Sequence, residues 1–368
     1  MAEAREAPGV LPAEEIAALI ETGAIRLGGP LAPKQLQPAS LDLTLGARAW
    51  RIRASFLPSK QRTVAERLAD GLVMHEIDLA RGAVFERGCV YLAELNERAA
   101  LHPGVEGAAN PKSSTGRIDV FVRLVADRAD AFDEIPAGYE GPLYVEISPR
   151  TFSILARAGS SLNQMRFKRG DCPLDDSALG ALHARTPLID GPADIDGGLG
   201  LRARLSGSEG EIVGYRARRY SALIDVDAPG VLDPTDYFEP VAAPASGFII
   251  LDPDEFYILA SREALAAPPD FAAEMTPINP GLGEFRVHYA GFFDPGFGWA
   301  GEGRPPGARA VLEVRSHDAP FVLEDGQLVA RLVYERMAAR PGRLYGEDVR
   351  SNYQGQGLRL SKHFRTGG

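Results

Sequence analysis

A short polar stretch of the chain, PKSSTGR, has the side chains that can bind an anion or orient a water molecule. It offers two cationic donors, two serine hydroxyls and a glycine that permits close backbone approach, which are Lys112, Arg117, Ser113, Ser114 and Gly116. An arginine can contact a phosphate through two parallel hydrogen bonds. The stretch is not a P-loop, which needs GxxxxGK[ST] between a strand and a helix. Taken alone, it predicts either a small anion site or a polar turn.

Two glutamates recur in similar strand-like stretches. Glu146 lies in LYVEIS and Glu313 lies in AVLEVRS. A glutamate among Val, Leu and Ile either faces water or sits in a pocket where burial raises its pKa. In the pocket it can take a proton from water and pass it on. The pattern therefore predicts either a general base or a solvent-facing strand residue at each position.

The sequence SNYQGQGLRLSKHF near the C-terminus places Gly and Gln between aromatic residues. Such a composition does not form a packed core. It predicts either a frayed terminus or a segment that closes over a site.

The composition is that of a globular protein with many turns. The chain has 368 residues, enough for two domains, with 45% apolar and 24% charged residues. Its 40 Gly and 28 Pro predict many short strands. The sequence has no run of 18 apolar residues and so predicts no membrane-spanning helix. Its charged N-terminus lacks an apolar signal core. We therefore expect a cytoplasmic protein that contacts no membrane.

Charge and metal-ligand residues narrow the partners. A net charge of −10 argues against a broad nucleic-acid surface but permits a local pocket for a phosphorylated small molecule. Cys89 and Cys172 lie outside any CxxC, and the six histidines form no HxE or HExxH pair. We therefore expect neither a disulfide framework nor a metal bound directly by the protein.

The order of elements predicts a mainly β protein. LPAEEIAALIETGAI, at 11–25, has helical spacing and a glycine stop. SLDLTLGARAWRIRA then alternates apolar and polar residues, and GCVYLAEL, RIDVFVRLVA, PLYVEIS and TFSILA follow between turn residues. Regular strand–helix alternation, which a doubly wound sheet needs, is absent from this pattern. A compact β-barrel or sandwich is the expected architecture.

The pattern restarts near residue 171. LDDSALGALHARTPLI, at 174–189, is similar to the opening helix, and EFYILASREALAAP is similar to GCVYLAELNERAALHP. A separation of 167 residues is shared by the pairs Leu92/Leu259, Ala93/Ala260 and Glu146/Glu313. The sequence therefore predicts a tandem duplication, with domains at 1–170 and 171–368 that each consist of a helix followed by short strands.

Three stretches together resemble the dCTP deaminase branch of the dUTPase superfamily. They are QPASLDLTLG, PKSSTGR with GYEGPLYVEIS, and NYQGQG, and in the second half AGFFDPGF with AVLEVRS resembles the same hairpin signature. The resemblance implies two dUTPase-like distorted β-barrels in an oligomer with sites at interfaces. It also implies hydrolysis of the 4-amino group of dCTP to dUTP and ammonia, without zinc and with Mg²⁺ carried by the triphosphate. The zinc cytidine deaminases need HxE and PCxxC, which this chain lacks.

The resemblance also implies roles for the residues of the polar stretch. Ser113 and Arg117 match the family's residues near the cytosine and the attacking water. Lys112, Ser114 and Gly116 match its phosphate-binding loop.

Further matches lie outside that stretch. Glu146 and Glu313 both match the catalytic glutamate, and Asp294 in FFDPGF matches the residue that faces the deoxyribose. The closing C-terminal segment is matched by Tyr345, Tyr353 and Gln356. Asn352 stands where many members have Lys, so the resemblance does not extend to that triphosphate contact.

The two halves depart from the family pattern in complementary ways. The first keeps KSSTGR, but its hairpin, EIPAGYEG, lacks the Asp before Pro-Gly. The second keeps DPGF and the tail, but has INPGLGEF where KSSTGR is expected. In this superfamily the loop and the hairpin of one site come from different barrels. We therefore expect a composite site in which Glu313 is the base, with Glu146 a relic or part of a second site.

Two other functions stay open at this point. A dUTPase-type pyrophosphatase, or a bifunctional enzyme that forms dUMP, fits the hairpin Asp294, because dUTPases use such an Asp to orient water at the α-phosphate. A non-catalytic nucleotide sensor fits two diverged copies. Feedback by dTTP, which the family often shows, and the number of sites per chain are left open.

Overall fold

The computed structural model describes residues 7–278, 285–288, 291–316, 318–346 and 355–366. These residues form a mainly β structure, which confirms the predicted fold class. They divide into two compact units. The first unit comprises the described residues up to Cys172 together with Ala222–Pro229 and Met337–Gly342, and the second unit comprises the remainder.

Residues 7–172, the described part of the first half, form thirteen strands, three α-helices and one π-helical turn at Leu68–Leu72. In chain order the strands and helices are β1 (Gly9–Val10), α1 (Ala13–Glu21), β2 (Ile25–Arg26), β3 (Leu41–Leu43), β4 (Leu45–Ile52), α2 (Val64–Arg67), β5 (Val73–Asp78), β6 (Ala83–Phe85), β7 (Val90–Ala100), β8 (Glu106–Pro111), α3 (Ser113–Gly116), β9 (Val120–Ala126), β10 (Glu134–Ile135), β11 (Glu140–Pro149), β12 (Ile154–Ala156) and β13 (Asn163–Arg169).

In the second half, the described residues form twelve strands, one α-helix and one 3₁₀ turn at Pro234–Asp236. In chain order they are α4 (Asp176–Arg185), β14 (Leu199–Arg202), β15 (Ile212–Ala217), β16 (Ile224–Asp225), β17 (Phe238–Ala242), β18 (Phe248–Leu251), β19 (Phe256–Leu265), β20 (Phe271–Pro277), β21 (Phe285–His288), β22 (Phe292–Phe293), β23 (Ala308–Ser316), β24 (Phe321–Glu324) and β25 (Leu328–Arg336).

The sheets of the two units repeat one topology. In the first unit they run β1-β13-β8-β10 with β3 on β13, β5-β4-β7-β11-β9 with β2 on β7, and β16-β12-β6. In the second unit they run β14-β25-β20-β22, β17-β15-β19-β23-β21 and β18-β24. Strand for strand, β7, β9, β11 and β13 correspond to β19, β21, β23 and β25. The predicted tandem two-copy form is therefore confirmed.

Strand pairing shifts two of the sequence matches by one residue, those of Leu92 with Leu259 and of Ala93 with Ala260. Glu146 on β11 lies opposite Leu92, whereas Glu313 on β23 lies opposite Ile258. The loops of the two units differ in length, so one separation cannot hold for every strand. In this register Tyr91 of the first unit corresponds to Tyr257 of the second. The hydroxyls of both tyrosines accept a backbone N–H.

Alternating strand side chains form the core of each unit. Val145 and Ile147 on β11 are fully buried in the first unit, as are Leu312 and Val314 on β23 in the second. The polar residues of β11 and β23 that interrupt this apolar pattern are therefore the ones that need a physical explanation. Within the described ranges, no helix combines the length and the apolar character needed to cross a bilayer.

Candidate functional site

The polar stretch folds into the one-turn helix α3 between β8 and β9. Thr115 and Gly116 donate their backbone N–H groups to the carbonyl of Lys112 at 2.8 and 3.0 Å. Lys112 donates its own N–H to the carbonyl of Leu162 at 3.0 Å. Asp119 ends the turn with a positive φ of 54°. The predicted strand RIDVFVRLVA therefore begins only at Val120.

The five predicted residues of this stretch lie in one turn but differ in exposure. Ser113 is exposed, whereas Ser114, Gly116 and Arg117 are buried and Lys112 is half-buried. Lys112 donates from Nζ to the carboxylate of Asp42. The turn is therefore a built structure with a buried cation rather than a solvated linker.

Glu146, the candidate base of the first unit, is only 2% exposed. Its Oε1 accepts hydrogen bonds from Nη2 and Nε of Arg123 at 2.6 and 3.2 Å. The Arg123 guanidinium also lies over the rings of Phe132 and Phe121, 3.7 and 4.6 Å from their centroids. Glu146 therefore forms a buried ion pair with Arg123 within the first unit.

Glu313, the candidate base of the second unit, is 4% exposed. On β23 it lies opposite Ile258 of β19 and opposite His288 of β21 in Cα register. Arg123 occupies the equivalent register position opposite Glu146. The two glutamates therefore share a strand position but differ in the residue type across the strand.

The DPGF turn of the second unit holds the segment that carries Tyr345. Tyr345 donates its backbone N–H to the carbonyl of Pro295 at 2.9 Å, and its ring lies 5.6 Å from that of Phe297. Gly296 has a φ of 98°, and a Cβ there would lie 2.8 Å from the backbone nitrogen of Tyr345. Asp294, at the start of this turn, is buried. The structure thus brings the predicted residues Asp294 and Tyr345 into one turn region.

The C-terminal segment is anchored on both sides of the residues that lie outside the described ranges. Gln356 accepts the backbone N–H of Arg309 on its carbonyl at 2.9 Å and donates from Nε2 to the Arg309 carbonyl at 3.2 Å. Arg309 is the second residue of β23, the strand that carries Glu313. Further on, Phe364 packs edge-on against Tyr237, with centroids 5.3 Å apart.

The alternative of a frayed terminus is therefore wrong for residues 355–366, in which Gln356 and Phe364 are buried. Tyr353 and Asn352 lie outside the described residues.

In the hairpin of the first unit, Pro136 stands at the position of Asp294, and Tyr139 closes the turn. The Tyr139 hydroxyl donates to the carbonyl of Pro142 at 2.6 Å and accepts the N–H of Asp127 at 3.1 Å. Burial raises the pKa of Tyr139 to about 12, so the hydroxyl stays a donor at neutral pH. This turn has become a structural element of the first unit.

The sequence did not reveal the residues that bind the charged side chains of Glu146 and Lys112. They are Arg123 beside Glu146, and Asp42 with its supporting residues Gln35 and Glu97 beside Lys112. Asp42 lies inside the stretch QPASLDLTLG, so the signal was present, but nothing in the sequence assigns it a partner 70 residues away.

The described residues offer little support for a metal site or for an anion pocket elsewhere in the chain. No group of three or more His, Cys, Asp or Glu side chains within the described part of the chain is placed to hold a metal ion. A cavity of about 340 Å³ lies in the second unit but includes none of the predicted site residues. Its wall has equal numbers of cationic and acidic residues, Arg216, Arg218, Arg219, Asp236, Glu239 and Glu255. This balance argues against an anion pocket.

The fold and the site define a class of protein: two tandem β units, one with a polar one-turn helix and the other with an Asp-Pro-Gly turn. Family comparisons identify the class further. Residues 7–171 match the family "2'-deoxycytidine 5'-triphosphate deaminase (DCD) N-terminal domain", and residues 175–364 match its "C-terminal domain". The chain belongs to the 2'-deoxycytidine 5'-triphosphate deaminase family.

Individual relatives agree with this family. A solved structure from Agrobacterium tumefaciens, titled 2'-deoxycytidine 5'-triphosphate deaminase, is 50% identical with a TM-score of 0.86, covering 91% of this chain and 99% of that chain. A "dCTP deaminase" of Halorubrum lacusprofundi is 25% identical over 36% of this chain and 64% of the relative. A "dCTP deaminase, dUMP-forming" of Methanobrevibacter smithii is 30% identical over 34% of this chain and 62% of the relative. The aligned parts thus span less than two thirds of either curated relative.

Proposed function

We propose that the protein is a dCTP deaminase, which hydrolyses the C4 amino group of dCTP to give dUTP and ammonia. The observation that carries the proposal is the match of both units to the deaminase family, with 50% identity to a solved structure of that title over 99% of its chain. The geometry supports it, because the motif residues lie in ordered turns and buried strands in each unit.

Both units contribute to one site in this proposal. The first unit supplies the turn with Ser113 and Arg117, and the second unit supplies Asp294, Glu313 and the C-terminal segment. Two differences between the units support this: Ile278 stands in the second unit at the position of Lys112, and Pro136 stands in the first unit at the position of Asp294.

In the proposed reaction Glu313 takes a proton from water, and the resulting hydroxide attacks C4 of the cytosine. The attack opens the C4–N3 double bond, and its electron pair goes to N3. The protonated Glu313 then donates its proton to the amino group, and the bond from C4 to this group breaks as the double bond to N3 re-forms. The hydroxyl proton on C4 moves to N3, so that water and dCTP give dUTP and ammonia. Ser113 and Arg117 orient the water and the base, and they accelerate the reaction where their hydrogen bonds are stronger in the tetrahedral intermediate than in the ground state. Lys112, Ser114 and Gly116 hold the triphosphate, with which Mg²⁺ arrives as part of the substrate.

The assignment of the base to Glu313 rather than Glu146 rests on Arg123. Two hydrogen bonds from that guanidinium occupy Oε1 of Glu146, so this oxygen is already engaged within the first unit. We therefore expect Glu313→Gln to lower kcat roughly 10²- to 10³-fold and Glu146→Gln, the matched control, to leave kcat nearly unchanged.

The decisive assay is incubation of the purified protein with dCTP and Mg²⁺, with separation of dCTP, dUTP, dUMP and pyrophosphate. We expect dUTP to accumulate at similar rates with the wild type and the Glu146→Gln variant, and roughly 10²- to 10³-fold more slowly with Glu313→Gln. Deamination that survives Glu313→Gln but not Glu146→Gln would reverse the assignment of the base.

A second candidate is a bifunctional enzyme that converts dCTP to dUMP. It is favoured by Asp294 in the turn of the second unit and by the similarity to a relative named "dUMP-forming". Formation of dUMP with pyrophosphate in the same assay would establish it. If neither dCTP nor dUTP is consumed, the sensor function remains.

We also propose that the chain acts as a homo-oligomer in the cytoplasm, binds dCTP and dUTP, needs no zinc and responds to dTTP as an inhibitor. These expectations come from the family resemblance and from the lack of zinc-deaminase signatures in the sequence. Sedimentation, metal analysis of the active protein and a dTTP titration of the deamination rate test them.

A further inference from the structure

A half-buried ion pair ties the polar turn to β3. Lys112 donates from Nζ to the carboxylate of Asp42, and to Oγ of Ser161 at 3.3 Å. The two charged side chains are only 21% and 10% exposed. An ion pair removed from water keeps its geometry more strictly than a surface pair, because breaking it leaves a buried charge uncompensated. The proposed phosphate contact is therefore also a structural tie.

The ion pair constrains the whole turn because Lys112 is the N-cap residue of α3. Its carbonyl accepts the N–H groups of both Thr115 and Gly116, which form the only turn of α3. A helix of four residues has no independent stability. The geometry of Ser113 and Arg117 therefore depends on how Lys112 is held.

The backbone of Asp42 is held by two hydrogen bonds with Gln35, and Gln35 is held in turn by the buried carboxylate of Glu97. The N–H of Asp42 donates to the carbonyl of Gln35 at 2.8 Å, and Gln35 donates from Nε2 to the carbonyl of Asp42 at 3.0 Å and to Oε1 of Glu97 at 2.8 Å. Thr44 donates its N–H and its hydroxyl to Glu97 at 2.9 and 2.8 Å. Glu97 is 1% exposed, and burial raises its pKa.

The second unit has lost both members of the ion pair together. Pro111 lies opposite Asn163 as Pro277 lies opposite Ala330, so Ile278 stands where the first unit has Lys112. Gly200 stands where the first unit has Asp42, because each donates its N–H to the equivalent carbonyl, that of Asp194 in the second unit. A Cβ on Gly200 would lie 3.0 Å from the Asp194 carboxylate.

The supporting glutamate, in contrast, is kept in the second unit. Glu263 occupies the place of Glu97 in the corresponding strand bulge and accepts the N–H of Arg202 at 2.9 Å and its Nη1 at 3.2 Å. The glutamate is therefore common to both units, whereas the Lys–Asp pair is present only beside the KSSTGR turn. This covariation within one chain links Asp42 to the turn rather than to the general stability of the β unit.

We infer that Asp42 is a positioning residue, which holds Lys112 and through it the KSSTGR turn in the geometry that binds the nucleotide; this rests on the proposed function. Asp42 and Ser161 engage two of the three ammonium donors of Lys112. The third donor has no partner among the described residues and is available for a phosphate oxygen. Asp42 thus restricts the lysine while leaving it one hydrogen bond for substrate.

Kinetics of four variants test the inference: Asp42→Ala, Asp42→Asn, Lys112→Met and the double variant Asp42→Ala/Lys112→Met. We expect Asp42→Ala to lower kcat/KM for dCTP roughly 10- to 100-fold, through both kcat and KM, because the turn carries phosphate contacts and water-orienting groups. Asp42→Asn, whose side-chain oxygen still accepts from Lys112, should recover most of this loss. In the Lys112→Met background Asp42→Ala should change little, because it has no charge left to position.

The control is Glu15→Ala, which removes the ion pair between α1 and Arg169 (2.9 Å) in the same unit. It should leave kcat and KM unchanged although it also breaks a charged contact. A purely structural role for Asp42 would lower the melting temperature while leaving kcat and KM per folded protein at wild-type values, and that result would overturn the inference.

Hydrogen exchange separates this inference from the proposed function. Without nucleotide, the amides of Thr115 and Gly116 should exchange about 10-fold faster in Asp42→Ala than in wild type, and unchanged in Glu15→Ala. If wild type neither binds nor deaminates dCTP, the proposed function fails, and the exchange result alone decides the inference. Equal exchange in Asp42→Ala and wild type would overturn it.

Discussion

The two units share one strand order but have different residue types at equivalent positions of the candidate site. At the shared strand position, Glu146 is held by Arg123, whereas Glu313 lies opposite His288 in register. At the turn after β8 or β20, the first unit has Lys112 and the second has Ile278. The first unit therefore combines an arginine-paired glutamate with a charged turn, whereas the second has an apolar residue at the equivalent turn position. This difference agrees with the proposal that the two units have different roles.

The most direct way to break this comparison is a double-mutant cycle across the units. Arg117→Ala and Glu313→Gln should each lower kcat roughly 10²- to 10³-fold, and the double variant should be no worse than the poorer single variant, because residues that act in one site are not additive. The measurement is the initial rate of dUTP formation. Losses that multiply would place Arg117 and Glu313 in separate sites.

A second prediction concerns the ion pair that distinguishes Glu146. Arg123→Met leaves a carboxylate buried without its cation and should destabilise the first unit by about 3–5 kcal/mol. Urea unfolding of the variant and of the wild type measures this loss.

The control for the second prediction is Arg123→Met/Glu146→Gln, which removes the charge along with its partner. It should recover much of the stability. Deamination per folded protein should stay close to wild type in both variants. A large loss of kcat in the double variant would show that this pair belongs to a working site.

A third prediction tests whether the DPGF turn needs its glycine. Gly296→Ala brings a Cβ within 2.8 Å of the Tyr345 nitrogen at a φ of 98°. We expect a loss of about 1–3 kcal/mol in stability, and a raised KM because the Tyr345 segment must move. Gly247→Ala is the matched control: its φ is 75° and nothing lies within 4 Å of its Cβ. It should cost only about 1–2 kcal/mol of backbone strain and leave KM unchanged. Equal KM values for the two variants would contradict the prediction.

Local patterns made much of this architecture predictable. Strand alternation and turn residues predicted the β units, and the repeat of motifs predicted the duplication. The strand SLDLTLGARAWRI was predicted as one element, but it divides at Thr44 because that residue bonds Glu97 with its backbone N–H and its hydroxyl. Nor does the sequence indicate that Ala222–Pro229 belongs with the first unit, where Ile224 of β16 pairs with Ile154 of β12. Such contacts depend on tertiary packing between distant segments.

The candidate site was predictable to the level of motifs and no further. KSSTGR, DPGF and the two glutamates are visible in the sequence as residue types. The pairing of Glu146 with Arg123 is not visible, because Arg123 lies 23 residues earlier on a neighbouring strand. The Lys112–Asp42 pair joins residues 70 apart. Side-chain pairs across strands are set by register, which a single sequence does not encode locally.

The smallest expected effect concerns a buried amide that only the first unit has. Asn163 is buried, and neither its Oδ1 nor its Nδ2 has a hydrogen-bond partner among the described residues, whereas the equivalent residue of the second unit is Ala330. Asn163→Ala removes an unsatisfied polar group worth about 1–3 kcal/mol but leaves a small cavity of similar cost, so we expect a net change within about 1 kcal/mol. The reverse change, Ala330→Asn, adds both volume and an unpaired amide, and should cost about 2–4 kcal/mol. Chemical unfolding of both variants measures the asymmetry. If Asn163→Ala costs as much as Ala330→Asn, the amide makes an interaction that the first unit needs, and its place beside Pro111 and the polar turn would make that interaction part of the site.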